Sequence, residues 1–271
     1  MIFLNPLLLI GLGFAVGAIG TLIGAGGGFI LVPVLLLLYP GAKPELITSI
    51  SLAVVFLNAT SGSVAYARMK RIDYKSALVF AVATMPGAII GAISTGYIPR
   101  HLFNLILSIL LFAISLILFL QPRQNILTGI NKRRHIVHRT VTERSNAQHH
   151  YSFNNVLGIA LSFIVGFISS LLGIGGGIIH VPVLNQLLNF PIHIATATSH
   201  LILACMALAG TVVHIIQGNF KDGWTTTLFI GIGVIIGAQI GAILSDKIKG
   251  SIIVRTLAIA LLLVSIRLFF Q

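Results

Sequence analysis

Two clusters of glycine lie inside long apolar stretches and could supply backbone N–H groups for binding. The first reads GAGGG from Gly24 to Gly28, and the second reads GIGGG from Gly173 to Gly177. Glycine permits an unwound backbone and the close approach of a ligand, and the N–H groups that begin the next helical piece carry partial positive charge. Two such ends facing each other would attract a small anion within a membrane. The glycines that we predict to bind it are Gly24, Gly26, Gly27, Gly28, Gly173, Gly175, Gly176 and Gly177.

Polar side chains interrupt two further apolar stretches at matching places. They are Thr48, Ser49, Ser51 and Asn58 in one stretch, and Thr196, Thr198, Ser199 and His200 in the other. Such groups either hydrogen-bond to neighbouring helices or line a pathway. Because they are duplicated, we favour the second role, in which they line the substrate site. The predicted substrate site therefore also includes Thr48, Ser51, Thr198, Ser199 and His200. Histidine exchanges protons near neutral pH, which makes His180 and His200 candidates for a proton relay.

The sequence offers little for other kinds of chemistry. Its five acidic residues, Glu45, Asp73, Glu143, Asp222 and Asp246, all lie between apolar stretches or at their ends. No carboxylate stands at mid-membrane depth to hold a cation or to shuttle protons. Paired catalytic carboxylates, a nucleophile elbow and a P-loop are missing from the sequence. We therefore predict no enzymatic activity, no metal site and no cofactor.

The composition is typical of a membrane protein. Hydrophobic residues make up 56% of the 271 residues and charged residues 8%, with a mean hydropathy of +1.04, whereas soluble domains carry about 25% charged residues. The formal net charge of +12 comes almost wholly from Lys and Arg between the apolar stretches, six of the seventeen lying in 121–154. This distribution is typical of cytoplasmic loops and differs from the basic face of a nucleic-acid-binding protein. We expect a multi-pass protein of the cytoplasmic (inner) membrane, with lipid and a small anion as partners and no nucleic acid.

The apolar stretches predict the helices that must position these residues. They lie at about 4–39, 46–67, 76–98, 102–120, 155–189, 192–217, 224–245 and 251–270. Six of them suit one tilted crossing of a hydrocarbon core about 30 Å thick. The first and fifth are too long for one crossing and too short for two, and each has a glycine cluster near its middle. We predict an all-α integral membrane protein with about eight transmembrane segments, within a range of seven to ten.

The chain contains an internal repeat. At a constant offset of 149, VGAIGTLIGAGGGFILVPVLL from residue 16 matches VGFISSLLGIGGGIIHVPVLN from residue 165. The predicted organisation is a first transmembrane repeat at 1–120, a basic cytoplasmic linker at 121–154 and a second transmembrane repeat at 155–271. The linker has no apolar periodicity and is interpreted as a flexible loop.

The repeats can be parallel or inverted, depending on how the glycine-broken segments lie. One net crossing per broken segment gives parallel repeats, whereas a re-entrant hairpin or two crossings give inverted repeats, which are common in transporters. We favour the inverted arrangement. The basic loop at 68–75 and the linker should lie on the same, cytoplasmic side.

The paired motifs GAGGGFILVPVL and GIGGGIIHVPVL, in a chain of this length with a polar middle loop, resemble the TauE/SafE sulfite exporter family. The resemblance covers nearly the whole chain. It implies a secondary transporter that exports sulfite, sulfonates or related small organosulfur anions. Three alternatives stay open: an anion channel or uniporter, a membrane enzyme or assembly factor, and a purely structural role of the glycines in helix packing.

Overall fold

The computed structural model describes residues 5–120, 135–144, 146–245 and 250–269, and these residues are almost entirely helical. The helices are α1 (Pro6–Ile23), α2 (Gly28–Leu38), α3 (Pro44–Arg68), α4 (Tyr74–Thr95), α5 (Arg100–Leu120), α6 (Asn155–Leu172), α7 (Gly177–Pro182), α8 (Ile192–Ile216), α9 (Trp224–Leu244) and α10 (Gly250–Phe269). Helix α7 continues as a π-helical turn over Val183–Leu187. Two strands, β1 (Ile136–Thr142) and β2 (Gln148–Asn154), lie between α5 and α6.

Within the residues that the structure describes, seven helices are long and apolar enough to cross a membrane. They are α1, α3, α4, α6, α8, α9 and the part of α5 from Arg100 to Ile117. Large apolar side chains face outward from the bundle, as Leu78 and Val82 of α4 show by their exposed fractions of 58% and 69%. Water would disfavour this apolar surface, and lipid accommodates it. The predicted multi-pass helical membrane fold is confirmed.

Both glycine clusters end one helix and begin another, as the sequence predicts. The backbone enters the left-handed region at Gly24, where φ is 84°, and at Gly173, where φ is 67°. Glycine adopts this region at little cost, because it has no Cβ. The N–H groups of Ala25 and Gly26 then donate to the carbonyl of Gly20 over 2.8 and 3.2 Å, which closes the last turn of α1.

The first broken segment is a hairpin that returns to the side where it began. The start of α2 lies beside the second half of α1, since a Cβ placed on Gly27 would lie 2.6 Å from Cγ1 of Val16. The end of α2 reaches back to the start of α1, where Leu38 and Leu9 line one cavity. Helices α1 and α2 are therefore antiparallel.

The second broken segment forms the same kind of hairpin. A Cβ placed on Gly176 would lie 2.8 Å from Oγ of Ser169. Further from the break, Nε2 of His180 lies 3.2 Å from Oγ of Ser162. Because sequence separation grows from one pair to the next, α6 and α7 are also antiparallel.

The two repeats are inverted. Helices α3 and α8 occupy matching places in the halves, yet they run in opposite directions. Thr48 near the start of α3 lies 3.3 Å from His214 near the end of α8, while Gly62 late in α3 lies against His200 early in α8. This confirms the arrangement that we favoured, and the re-entrant hairpins are its cause.

The halves interlock through close helix pairs in which glycine lets backbones touch. Helix α1 packs on α9 and helix α6 packs on α4. A Cβ placed on Gly17 of α1 would lie 2.5 Å from the carbonyl oxygen of Val234 in α9, and one on Gly166 of α6 would collide with the carbonyl oxygen of Thr84 in α4. These glycines lie outside the two clusters and serve the close packing that membrane helices need.

The interpretation of the linker as a flexible loop is wrong for residues 135–144 and 146–154, and positions 121–134 and 145 lie outside the described residues. Strands β1 and β2 form an antiparallel hairpin in which Ile136 pairs with Asn154. Tyr151 and Phe153 of this hairpin pack on a buried cluster that includes Phe80 and Phe190. The docking surface supplies the burial that the linker sequence alone does not reveal.

The basic loop after α3 and the linker hairpin lie on the same side of the bundle, as predicted. Arg71 Nη2 forms an ion pair with Glu143 of the hairpin over 3.1 Å. The buried carboxylate of Asp73 accepts a hydrogen bond from Tyr151 over 2.8 Å and lies 3.7 Å from Arg139. Burial, followed by the charge and hydrogen bond of Asp73, raises the pKa of Tyr151 above its ordinary value. The hairpin is thus fastened by buried polar contacts.

Candidate functional site

The two breaks meet in the interior, and we call residues 24–27 and 173–176 the glycine loops. A Cβ placed on Gly28 would lie 2.7 Å from the carbonyl oxygen of Gly173, and one on Gly177 would collide with the carbonyl oxygen of Gly24. Each loop therefore passes against the start of the opposite half-helix. The structure brings all eight predicted glycines together.

Two of the predicted serines join the halves at the glycine loops. Ser51 Oγ donates to the carbonyl of Gly173 over 2.6 Å, and Ser199 Oγ donates to the carbonyl of Gly24 over 3.5 Å. Each serine belongs to the half that does not contain its acceptor. The contact is reciprocal because the repeats are inverted. It holds the loop at Gly173 against α3 and the loop at Gly24 against α8.

The starts of the half-helices have backbone N–H groups without acceptors. In the part of the chain that the structure describes, nothing accepts a hydrogen bond from the N–H of Gly27, Gly28 or Phe29, or from that of Gly176 or Ile178. The first N–H groups of any helix lack partners within the helix. Here they are buried with the glycine loops, away from the bulk water that serves exposed N–H groups.

The predicted threonines are placed differently from the serines. Thr48 touches Gly173 through its methyl group, with Cγ2 3.0 Å from a Cβ placed there, while its hydroxyl donates to the carbonyl of Glu45 over 3.1 Å. Thr198 accepts a hydrogen bond from the N–H of Asp73 over 3.1 Å. Thr48 thus borders the glycine loops, and Thr198 faces the linker side.

The two histidines predicted as a relay occupy separate environments. His180 lies against Ser162 at 3.2 Å and against the ring of Phe80. His200 lies against the ring of Tyr66, with centroids 5.3 Å apart. Across the described residues no hydrogen bond joins the two histidines, and a continuous relay through both is not formed.

Two polar residues near the first glycine loop were missed by the sequence analysis. Thr21 donates from Oγ1 to Oδ1 of Asn58 over 2.8 Å, and the hydroxyl of Tyr66 donates to the carbonyl of Thr21 over 2.8 Å. Thr21 has a hydroxyl counterpart in Ser170 at the offset of 149, and this duplication is a signal that could have identified it. Tyr66 corresponds to His214 at the offset of 148, so no residue type repeats there. Its only signal is a polar group at membrane depth, which is itself a reason to suspect function.

A cavity of about 830 Å³ opens on the side opposite the linker. Pro6, Tyr39, Lys221 and Phe229 are among its lining residues. It lies at the entrance of the first hairpin and is not lined by the glycine loops.

Inverted repeats whose broken helices meet in the bundle interior are an arrangement typical of membrane transporters. The chain belongs to the family described as "Sulfite exporter TauE/SafE", whose model matches residues 9–268. It is 33% identical to "Probable membrane transporter protein YunE" of Bacillus subtilis, over 97% of each chain. It is 25% identical to "Probable membrane transporter protein MJ0441" of Methanocaldococcus jannaschii, over 92% of this chain and 89% of the relative. No solved structure matches the chain.

Proposed function

We propose that this membrane transporter exports small anions such as sulfite, sulfonates or related organosulfur compounds. The oxyanion is held by the N–H groups that begin α2 and α7. The observation that supports this proposal most directly is the meeting of two glycine loops whose neighbouring N–H groups lack acceptors. Oriented backbone donors at helix starts attract negative charge without a cationic side chain.

The distribution of carboxylates supports an anionic substrate. The acidic residues whose positions the structure describes are Glu45, Asp73, Glu143 and Asp222. Glu45 is in the first turn of α3, Asp73 and Glu143 bind the linker hairpin, and Asp222 lies beside Lys221 at the opposite side. None of these four borders the glycine loops, so their negative charge does not oppose an anion there.

The basic linker indicates the orientation. Loops rich in Lys and Arg remain on the cytoplasmic side, so we assign the linker hairpin to the cytoplasm and the protein to the cytoplasmic (inner) membrane. The cavity near Lys221 then opens outward. Export would take the anion from the hairpin side past the glycine loops to this cavity.

Alternating access would use the interlocked pairs as moving units. The pairs α1–α9 and α4–α6 each contain one hairpin helix and one helix of the other half, with backbones in contact at glycine. Close packing favours motion of each pair as a body against α3 and α8. Such motion would expose the glycine loops to one side at a time.

The proposal is tested by flux of labelled anions into proteoliposomes. The panel contains sulfite, thiosulfate, sulfonates and carboxylates, and we expect saturable uptake of at least one sulfur oxyanion. Replacing Gly27 and Gly176 together by leucine should abolish it, because both glycines have positive φ and border packed atoms. Gly11→Leu is the control, since a Cβ at Gly11 meets nothing within 4 Å.

The outcomes separate the alternatives. Unchanged flux in the double variant would overturn the site assignment. Flux that never saturates would favour a channel or uniporter. Chemical conversion of a solute without its net movement would instead indicate an enzyme.

A further inference from the structure

Four polar side chains form a buried cluster next to the first glycine loop. They are Thr21, Asn58, Tyr66 and His200, each no more than 1% exposed. The cluster is held by the hydrogen bonds from Thr21 to Asn58 and from Tyr66 to the carbonyl of Thr21. Tyr66 lies near the linker-side end of α3, so the cluster occupies the linker side of the bundle.

Two nitrogen atoms of this cluster have no partner among the described residues. They are Nδ2 of Asn58 and Nε2 of His200. Buried polar atoms in proteins almost always have a hydrogen-bond partner, and an exception calls for an explanation. Because the Asn58 oxygen already accepts from Thr21, its nitrogen is the side of the amide that is free to donate.

Two glycines adjoin these nitrogen atoms so closely that any larger residue would collide there. A Cβ placed on Gly20 would lie 3.0 Å from Nδ2 of Asn58 and would collide with the backbone nitrogen of Gly27. A Cβ placed on Gly62 would lie 2.9 Å from Nε2 of His200. The Asn58 amide therefore adjoins the first glycine loop and the N–H of Gly27.

The hydrogen bonding of His200 sets its tautomer. Nδ1 lies 3.3 Å from the carbonyl oxygen of Thr196, which can only accept, so Nδ1 carries a hydrogen. In the neutral ring Nε2 then presents a lone pair, which repels an oxyanion. A proton on Nε2 converts it to a donor and provides a positive charge.

The matching place in the second half lacks the two residues that carry these nitrogens. At an offset of 148, Asn58 corresponds to Met206 and His200 corresponds to Leu52. A Cβ placed on Gly210, the counterpart of Gly62, would lie 2.9 Å from Cδ1 of Leu52. The repeats share the glycine loops and their serines, and they differ where the unpartnered nitrogens stand.

We propose that this cluster binds one proton together with each transported oxyanion, an inference that rests on the proposed function. Asn58 Nδ2 and protonated His200 Nε2 donate to the anion beside the N–H of Gly27. The proton reaches Nε2 from water on one side and leaves to water on the other, and no bond of the anion breaks. Each charge offsets the burial cost of the other, so proton and anion bind cooperatively.

Few other ionisable groups surround His200. Its ring contacts that of Tyr66 from α3. The remaining titratable or charged residues on the elements packed against α8 are Glu45, Arg68, Asp73, Tyr74, Lys75 and His180. Asp73 reaches α8 at Thr198 and is occupied by Ser76, Arg139 and Tyr151.

The test measures anion accumulation driven by a pH gradient in proteoliposomes of the full chain, with the membrane potential clamped at zero. The probe is labelled methanesulfonate, which stays a monovalent anion, with protein-free liposomes as the blank; sulfite is not used here, because bisulfite carries a proton of its own. One proton per anion predicts about tenfold accumulation per pH unit at steady state. The free energy of the proton gradient, about 1.4 kcal/mol per pH unit, is then balanced by an equal free energy of the anion gradient. His200→Gln, which cannot take up a proton, should reduce the ratio to about one.

Two further variants distinguish coupling from folding. Thr21→Val removes the hydroxyl that orients Asn58, so we expect a higher KM with the tenfold accumulation retained. His101→Gln, at an exposed site on α5, should match the wild type in both.

Each result decides between the proposals. Saturable wild-type flux with a ratio near one overturns the coupling and leaves the proposed function intact, whatever the state of the variants. Loss of accumulation in His180→Gln with full accumulation in His200→Gln also overturns it. Absence of flux for every anion of the panel overturns both proposals.

Discussion

The contact between the two hairpins can be tested by adding a single methyl group on each side. Gly28 and Gly177 each begin a half-helix and neither has a positive φ, so the local backbone conformation itself does not disfavour alanine. The added Cβ would stand 2.7 Å from the carbonyl oxygen of Gly173 in the first case and would collide with that of Gly24 in the second. Overpacking of this kind costs about 1–3 kcal/mol. At both positions the nearest atoms to the added Cβ are backbone atoms, which move less readily than a side chain. We therefore expect a loss at the upper end of that range, and a larger loss when the two substitutions are combined.

The assay is unfolding of purified protein in mild detergent, followed together with anion flux in proteoliposomes. Gly28→Ala and Gly177→Ala should lower both the free energy of unfolding and the flux. Gly11→Ala is the matched control, since it lies in α1 with open space around its Cβ and should raise stability by about 0.5–1 kcal/mol. Wild-type stability and flux in both loop variants would refute the packing of the hairpins against each other.

Two further predictions concern hydrogen bonds away from that contact. Ser51→Ala should lower the free energy of unfolding by about 1–3 kcal/mol, because it leaves the buried carbonyl of Gly173 without its donor. Ser199→Ala should cost less, since its hydrogen bond of 3.5 Å is at the limit of length. Equal losses in the two variants would contradict this. Burial and the neighbouring carboxylate of Asp73 raise the pKa of Tyr151, so the stability that the neutral phenol provides is present below its ordinary pKa of about 10 and is lost as pH rises above it. Tyr151→Phe should therefore leave the tyrosinate absorbance change between about pH 8 and pH 11 unaltered, and a decrease equal to one tyrosine would contradict the assignment.

The sequence was sufficient to predict the helical membrane fold, the breaks and the repeat, because each leaves a periodic or duplicated mark. Lipid requires long apolar runs, and glycines at one offset in both halves mark the breaks. Inversion was an inference from the length of the broken segments. The antiparallel course of α3 and α8, visible at Thr48 and Gly62, settles it.

The missed features depend on contacts between distant parts of the chain. The linker hairpin was missed because Tyr151 and Phe153 alternate within a run of polar residues, and only the surface around Phe190 gives that alternation a buried face. The contacts of Thr21 and Tyr66 were missed as well, although Thr21 has a hydroxyl counterpart at Ser170. Their partners lie on other helices, where sequence order gives no guide to distance.

The central claim is that backbone N–H groups at the glycine loops bind the transported anion. The most direct test is an experimental structure with the selenium form of the anion that the flux panel identifies, located by its anomalous signal. Our account predicts selenium beside the starts of α2 and α7, with oxygen atoms about 2.7–3.2 Å from the nitrogens of Gly27 or Gly28. Selenium bound only in the cavity near Lys221, or no signal at a saturating concentration, would contradict it.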